Sequence, residues 1–430
     1  MADLIVKGGN KLTGEITPAG NKNAALPILC ATLLTDETVT LRNFPDLLDV
    51  RKLIELLISL GSDIKWDEEN KILKINNSQL RKDLGEEGFP LGMRGAVLLL
   101  GPLVSRMKKI EVKSEIGGCA LGIRELDPHI EVLKSLGVEV KTNDYLTLDS
   151  SKGLTGGSIW LDYMSVTTTE NFIMAASKAK GKSVLTNAAS EPHVQDLCNF
   201  LNQMGAKING VGSCRVEIEG VEKLTGTDFT ISSDHHEITT LLALGAMTKG
   251  SVRVKKAEPE FFPLINRSFN KFGVKIKYEG DTAVVDREAK LKVLDPYTKN
   301  MLQKIEAAPW PYFPADLLPL MIALAVKSEG SIMFWNKLYE GGFLWIPEMV
   351  KFGAHIVMCD PHRVIVYGNK PLKATNVNAP DIIRATVALL MVALTIEGES
   401  VIHNADSIKR AHPDFIENLN MLGADIKWAE

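Results

Sequence analysis

Leu60-Gly61-Ser62-Asp63-Ile64-Lys65-Trp66 and, near the other end of the chain, Leu422-Gly423-Ala424-Asp425-Ile426-Lys427-Trp428 are almost the same seven residues. Four looser copies lie between them: LGVEVKT from Leu136, MGAKING from Met204, FGVKIKY from Phe272 and FGAHIVM from Phe352. Their glycines (Gly61, Gly137, Gly205, Gly273, Gly353, Gly423) follow one another at intervals of 76, 68, 68, 80 and 70 residues. A hydrophobe, a glycine and an alternating run that return at near-constant spacing mark an internal repeat.

Working outward from the first copy shows what is repeated. Residues 12–16 and 38–41 alternate as strands, and 23–34 reads as a helix. Residues 49–60 place Val50, Leu53, Ile54, Leu57 and Leu60 at three- and four-residue spacing, which predicts a helix with one buried stripe. Gly61 then suits the position just past a helix, where a positive φ is wanted. Residues 63–66 and 72–75 flank a charged turn and predict a closing hairpin. The unit is βαβαββ. The first helices of other units, at 94–106, 315–327 and 384–396, are apolar almost all round. They predict helices buried beneath sheets that lie outside. Six units in 430 residues divide into two domains of three.

Composition removes several classes. Lys and Arg number 49 against 53 Asp and Glu, a net −4 without a basic block, which argues against a nucleic-acid binder. The longest apolar runs, such as 317–326, fall well short of the roughly 20 residues that cross a bilayer, so no membrane partner is expected. The opening residues MADLIVKGGNKLTG lack the pattern of a signal peptide. Cys30, Cys119, Cys198, Cys214 and Cys359 are scattered without a CxxC pair, which fits neither a disulfide framework nor structural zinc and suits the cytoplasm.

Two motifs have plain readings. Gly181-Lys182-Ser183 ends like a P-loop, but Ala176 stands where the first glycine is required. His235 and His236, if extended, point to opposite faces and cannot share a metal. Three segments carry more. In PAGNKNAALP (18–27), Lys22 adds a point charge to the free N–H groups of a helix start. In GGCALGIRELDPH (117–129), Cys119 follows two glycines and precedes Arg124, conditions that favour a reactive thiol over a buried one. In AAPWPYFPADL (307–317), three prolines predict an extended approach to Asp316, an N-cap or a functional carboxylate at a helix start.

These segments, with LGMRGAVLLLGPLV (91–104) and NAASEP (187–192), resemble the enolpyruvyl transferases, and within them the branch that uses UDP-N-acetylglucosamine. The sister branch of the shikimate pathway typically has a Lys-Ser pair at the first helix and lacks the GGC loop. The likeness spans the chain. It implies a two-domain inside-out α/β barrel of six βαβαββ repeats, one domain at 22–231 and the other at 1–21 plus 232–430, with the active site in the cleft between them. The implied reaction joins phosphoenolpyruvate to the sugar 3′-hydroxyl and releases phosphate, the first committed step of peptidoglycan synthesis, without metal or cofactor. Alternatives are a relative acting on another nucleotide or sugar phosphate, or a non-catalytic UDP-sugar-binding paralogue.

Residue by residue, the resemblance implies that Cys119, Asp316 and Lys22 are catalytic. Cys119 would protonate the vinyl carbon, and Asp316 would orient or deprotonate the sugar hydroxyl. Lys22, Asn23, Arg94, Arg124, Arg384 and Arg410 would bind phosphoenolpyruvate, cations being needed for its phosphate and carboxylate. Asn23, Arg94, Glu125, Leu126, Asp127, His129, Ser165, Val166, Glu191, Asp234, Asp316 and Leu338 would bind or shape the site of the UDP-sugar. The chain departs from the family pattern at several points. Ser165-Val166-Thr167-Thr168-Thr169 replaces Ser-Val-Gly-Ala-Thr, Glu125 replaces a proline, and Gly341-Gly342 stands where Asn-Arg is common. His235 replaces an arginine, and Asp381-Ile382-Ile383-Arg384 has one residue more than the usual Asp-Leu-Arg.

Overall fold

The computed structural model describes residues 2–84, 94–112, 125–142, 146–285, 290–410 and 412–429; of Arg94 it describes the backbone alone. The chain forms two compact units. One holds Met1–Ala19 and Ser233–Glu430, and the other lies within 20–232. Among the described residues each unit carries three sheets, and each sheet shows one order. The third unit of the repeat displays it fully. Its first strand, Ser158–Trp160, runs parallel to its second, Lys182–Thr186. The fourth, Arg215–Glu219, pairs antiparallel with the second and with the third, Lys207–Asn209. A parallel pair needs a crossover, and the helix Val166–Ala176 provides it.

The first helices of the repeats are the buried ones. In one unit they are Lys22–Ala31, Leu100–Arg106 and Val166–Ala176; in the other, His235–Met247, Leu318–Lys327 and Ile383–Leu394. Residues 385–394 are buried without interruption, as are 318–326, and all 13 residues of His235–Met247. An apolar stripe would leave one face for water; an apolar circumference has to be enclosed. The second helix of each repeat is amphipathic instead, and Leu48–Ser59 buries Val50, Leu53, Ile54 and Leu57 as the spacing predicts.

All six repeat glycines have positive φ, from +72° at Gly273 to +104° at Gly61. At Gly61 the reason is visible in the hydrogen bonds: Gly61 N donates to Ile58 O at 2.9 Å and Ser62 N to Leu57 O at 3.0 Å. This is a Schellman ending, which satisfies carbonyls that the helix leaves open. The same long-reach bond recurs at Val138, Ala206, Val274 and Ala424. The repeated tripeptide is a helix stop.

Three expectations change. The strand expected at 12–16 is Thr13–Ile16, and it pairs with Ser251–Val254 rather than with Val39–Arg42. The place beside Val39–Arg42 is taken by Asp228–Thr230. The two units thus exchange their first strands, which local periodicity cannot register. The N-terminal strand Asp3–Gly8 belongs to no preceding helix; it inserts between Gly398–His403 and Asp425–Ala429 and supplies the fourth strand of the sixth repeat. Second, the helix expected at 23–34 is Lys22–Ala31 followed by a 3₁₀ turn, Thr32–Leu34.

Third, the helix expected at 94–106 is 3₁₀ over Arg94–Leu99 and α only over Leu100–Arg106. The cause is Asn171. Its side-chain oxygen accepts from Gly101 N at 2.6 Å, and its amide donates to Val97 O at 2.8 Å. In an α-helix these two backbone groups would bond each other. Asn171 stands between them, and a Cβ on Gly101 would come within 2.5 Å of its carbonyl oxygen.

Candidate active site

In the 20–232 unit, Asn21 caps the helix Lys22–Ala31, its side chain accepting from the N–H groups of Asn23 and Ala24 at 2.8 and 3.3 Å. Lys22 is therefore held at the positive end of a helix, and its ammonium pairs with Asp49, a residue that the sequence reading missed. Asn23 is partly exposed beside it. Cys119 and Arg124 lie outside the described residues, as does the Arg94 side chain. Among the described cysteines, burial pushes the Cys198 thiol up to about 12 and the Cys30 thiol higher still, so neither is a nucleophile near neutral pH. Glu125 and Asp127 are exposed and Leu126 is half-buried at the start of Asp127–Ser135.

Ser165 caps the helix Val166–Ala176. Its hydroxyl donates to Thr168 Oγ1 at 2.8 Å, and Thr169 Oγ1 donates back to the Ser165 carbonyl. Thr168 and Thr169 are fully buried, so of the added side chains in this segment only Thr167 is partly open. Thr167 Oγ1 stands 3.3 Å from His129 Nε2, while His129 Nδ1 is 3.0 Å from the Asn171 amide nitrogen. That amide can only donate, so Nδ1 accepts and the proton sits on Nε2. Burial pulls His129 down to about 4, which keeps it neutral. Below this layer, burial and then the Glu191 charge push the Glu170 carboxyl well above the usual range. Glu191 itself precedes the helix Pro192–Gln203.

In the other unit, Asp234 caps His235–Met247. Its Oδ1 accepts from His236 N at 2.8 Å and from His236 Nδ1 at 2.9 Å. Arg384 Nη2 lies 3.6 Å from Asp234 Oδ2, and Arg384 Nη1 donates to His412 Nε2 at 2.5 Å. Burial would raise the Asp234 carboxyl, but the bonded His236 and the Arg384 guanidinium hold it well below its ordinary value. The expectation that His235 and His236 splay apart is wrong because they open a helix instead of lying in a strand. Their rings stack 4.0 Å apart, and donor atoms of Asp234, His235 and His236 lie within 4.8 Å of one another. Arg384 already supplies the counter-charge there.

Asp316 is partly exposed inside the 3₁₀ turn Ala315–Leu317, and no side chain caps the helix Leu318–Lys327 that follows. The N-cap alternative is thereby set aside. The approach to it is a turn, not an extended run: Trp310–Pro311 is cis, and Tyr312 N donates to Pro309 O. Arg410 pairs at the surface with Asp381 at 3.2 Å. Leu338 is exposed, its N–H held by Asn336 Oδ1. A Cβ at Gly342 would meet the Asn336 amide nitrogen at 2.1 Å, so an arginine there would require the Asn336 side chain to move.

The chain matches the family model described as EPSP synthase (3-phosphoshikimate 1-carboxyvinyltransferase) over residues 6–419. The chain belongs to the EPSP synthase family. Within that family it is 42% identical to the UDP-N-acetylglucosamine 1-carboxyvinyltransferase of Borreliella burgdorferi, over 99% of each chain. It is 41% identical to the enzyme of the same name from Bradyrhizobium diazoefficiens, over 98% of this chain and 97% of that one. The fold is similar to two solved structures: the enolpyruvyl transferase NikO of Streptomyces tendae (TM-score 0.85, 22% identity, 100% of this chain and 99% of that one) and an EPSP synthase of Acinetobacter baumannii (TM-score 0.76, 16% identity, 100% of both). Set in this EPSP synthase fold, the sequence-predicted residues fall into three groups: Lys22 with Asn23 at one helix start, Asp234 with Arg384, and His129 with the helix start of Ser165 and Val166 through Thr167. His412, Asn171 and Asp49 were missed, and only contact across the chain singles them out; His236, read only as an unsuitable metal ligand, bonds Asp234 two residues away.

Proposed function

We propose that the protein transfers the enolpyruvyl group of phosphoenolpyruvate to the 3′-hydroxyl of UDP-N-acetylglucosamine, the first committed step toward peptidoglycan. The observation that carries this is full-length identity of about two residues in five to enzymes named for that reaction. In this reading, a proton added to the terminal vinyl carbon makes the adjacent carbon electrophilic. The sugar oxygen attacks that carbon and loses its proton. Departure of phosphate and loss of a proton from the methyl carbon restore the double bond. Cys119 is the proposed acid, and Asp316 the proposed orienting carboxylate or base. Lys22, Arg94, Arg124, Arg384 and Arg410 are the proposed cations for phosphoenolpyruvate. Asp234 and Glu191 are proposed to contact the sugar, and His129 is proposed to shape its site through Thr167, whose hydroxyl it faces.

No helix among the described residues is long and apolar enough to cross a membrane. Cytoplasmic location, roles in cell shape and division, and the absence of any nucleic-acid partner belong to the same proposal. Mass spectrometry of the reaction mixture tests it: UDP-N-acetylglucosamine should gain the mass of one enolpyruvyl group. Unchanged sugar nucleotide, with product formed from another nucleotide or sugar phosphate, would reassign the substrate.

A further inference from the structure

Arg384 stands in the first turn of Ile383–Leu394 with its side chain only 12% exposed. An arginine side chain carries much rotamer freedom, and ordering it costs free energy unless partners hold it. Asp234 is one partner, at 3.6 Å, too far for a direct hydrogen bond. The close partner is His412, whose Nε2 receives the guanidinium N–H at 2.5 Å.

A guanidinium has donors and no acceptor, so His412 Nε2 must present a lone pair. The imidazole is therefore neutral, with its proton on Nδ1, 3.9 Å from Glu237 Oε2. Phe415 packs 5.5 Å away, ring to ring, and His412 as a whole is buried. The imidazole is thus an acceptor fixed on the side of the guanidinium.

We propose that His412 is a positioning residue for the transfer reaction, holding Arg384 in the pose that receives an oxyanion of phosphoenolpyruvate, and doing so only while neutral. This rests on the reading of Arg384 as a phosphoenolpyruvate-binding cation. A carboxylate in the place of His412 would pair with the guanidinium as a fork and spend its charge inside the protein. A neutral acceptor fixes one N–H, leaves the other donors, and leaves the positive charge for the substrate.

The arrangement carries a pH dependence. Protonation turns Nε2 into a donor and sets a second cation against Arg384, so the pair cannot persist. Arg384, from Ile383–Leu394, and burial both oppose that protonation. Asp234 and Glu237, from the start of His235–Met247, favour it; the neighbouring His235 and His236 oppose it when charged. Arg410, on the stretch that carries His412, is paired with Asp381. Affinity for phosphoenolpyruvate therefore falls as pH falls through the titration of His412.

The test is steady-state kinetics of the full chain from about pH 5.5 to about pH 8.5, with thermal melts to verify folding. His412→Phe keeps the ring and removes the acceptor; His412→Gln keeps an acceptor that cannot titrate. At neutral pH, H412F should raise KM for phosphoenolpyruvate by about tenfold with much smaller changes in kcat and in KM for the sugar. H412Q should recover most of that loss and lack the acid-side rise in KM seen in the wild type. An unchanged KM in folded H412F, or an acid-side rise that persists in H412Q, overturns the proposal. Should the wild type turn over no acceptor, the reading of Arg384 fails rather than the contact. Nitrogen NMR of the imidazoles, with His412 assigned through H412Q, then decides: a neutral Nδ1–H tautomer supports the arrangement, and an Nε2–H or charged ring at neutral pH overturns it.

Discussion

His129 and Cys119 sit at opposite ends of what sequence could tell about single residues. His129 was placed in the sugar site by resemblance, yet its ring nitrogens are engaged by Thr167 and Asn171, and burial pulls it down to about 4. A histidine whose folded value is lowered binds fewer protons folded than unfolded, so its contribution to stability is complete above about pH 6.5. That contribution is lost as pH falls from there toward 4, and the loss reaches roughly 3 kcal/mol at the acid end. Urea melts at neutral and mildly acid pH should show this slope in the wild type and a shallower one in His129→Gln. Cys119 lies outside the described residues, and its proposed role rests on the glycines and the cation that surround it in the sequence. Cys119→Ser should leave sugar-nucleotide affinity within about twofold while lowering kcat by two or more orders of magnitude, as loss of a general acid does. Calorimetry and turnover measured on one preparation check both halves. Asp49 and His412 were not legible, because nothing near them in the sequence says that Lys22 or Arg384 lies opposite.

At the scale of elements, the repeat made most of the fold readable. Helix stops at Gly61 and Gly423, the stripe of Leu48–Ser59 and the enclosed helices at 318–326 and 385–394 all follow from local pattern. The break between Arg94–Leu99 and Leu100–Arg106 does not, since its cause, Asn171, arrives from another helix. The stops also differ among themselves. A Cβ at Gly205 would meet nothing within 4 Å, whereas one at Gly61 would lie 2.6 Å from the Gln79 carbonyl oxygen. Gly205→Ala should therefore cost only the left-handed backbone penalty, about 1–2 kcal/mol. Gly61→Ala should cost clearly more, because backbone must move. Denaturant midpoints of the two variants would check the order, and equal losses would count against the clash at Gly61.

At the scale of the molecule, the exchange of first strands sets which pieces can fold. Residues 20–232 are contiguous and include Asp228–Thr230, which completes the sheet of Val39–Arg42. Residues 233–430 lack both Asp3–Gly8 and Thr13–Ile16, and the first of these runs through the middle of a sheet with Leu4 and Val6 fully buried. A 20–232 fragment should give a cooperative melt, and a 233–430 fragment should not. Joining residue 430 to residue 2 through a short linker and ending at 19 should rescue the latter, since Asp3 pairs directly with Ala429. No sequence periodicity reports that exchange, because each strand looks local to the helix that follows it. The function proposed for the whole chain is tested most directly by phosphate release from phosphoenolpyruvate, with UDP-N-acetylglucosamine and shikimate 3-phosphate supplied separately. Release with the sugar nucleotide alone is the predicted result. Release with shikimate 3-phosphate alone, or with neither acceptor from a folded protein that still binds the sugar nucleotide, would contradict it.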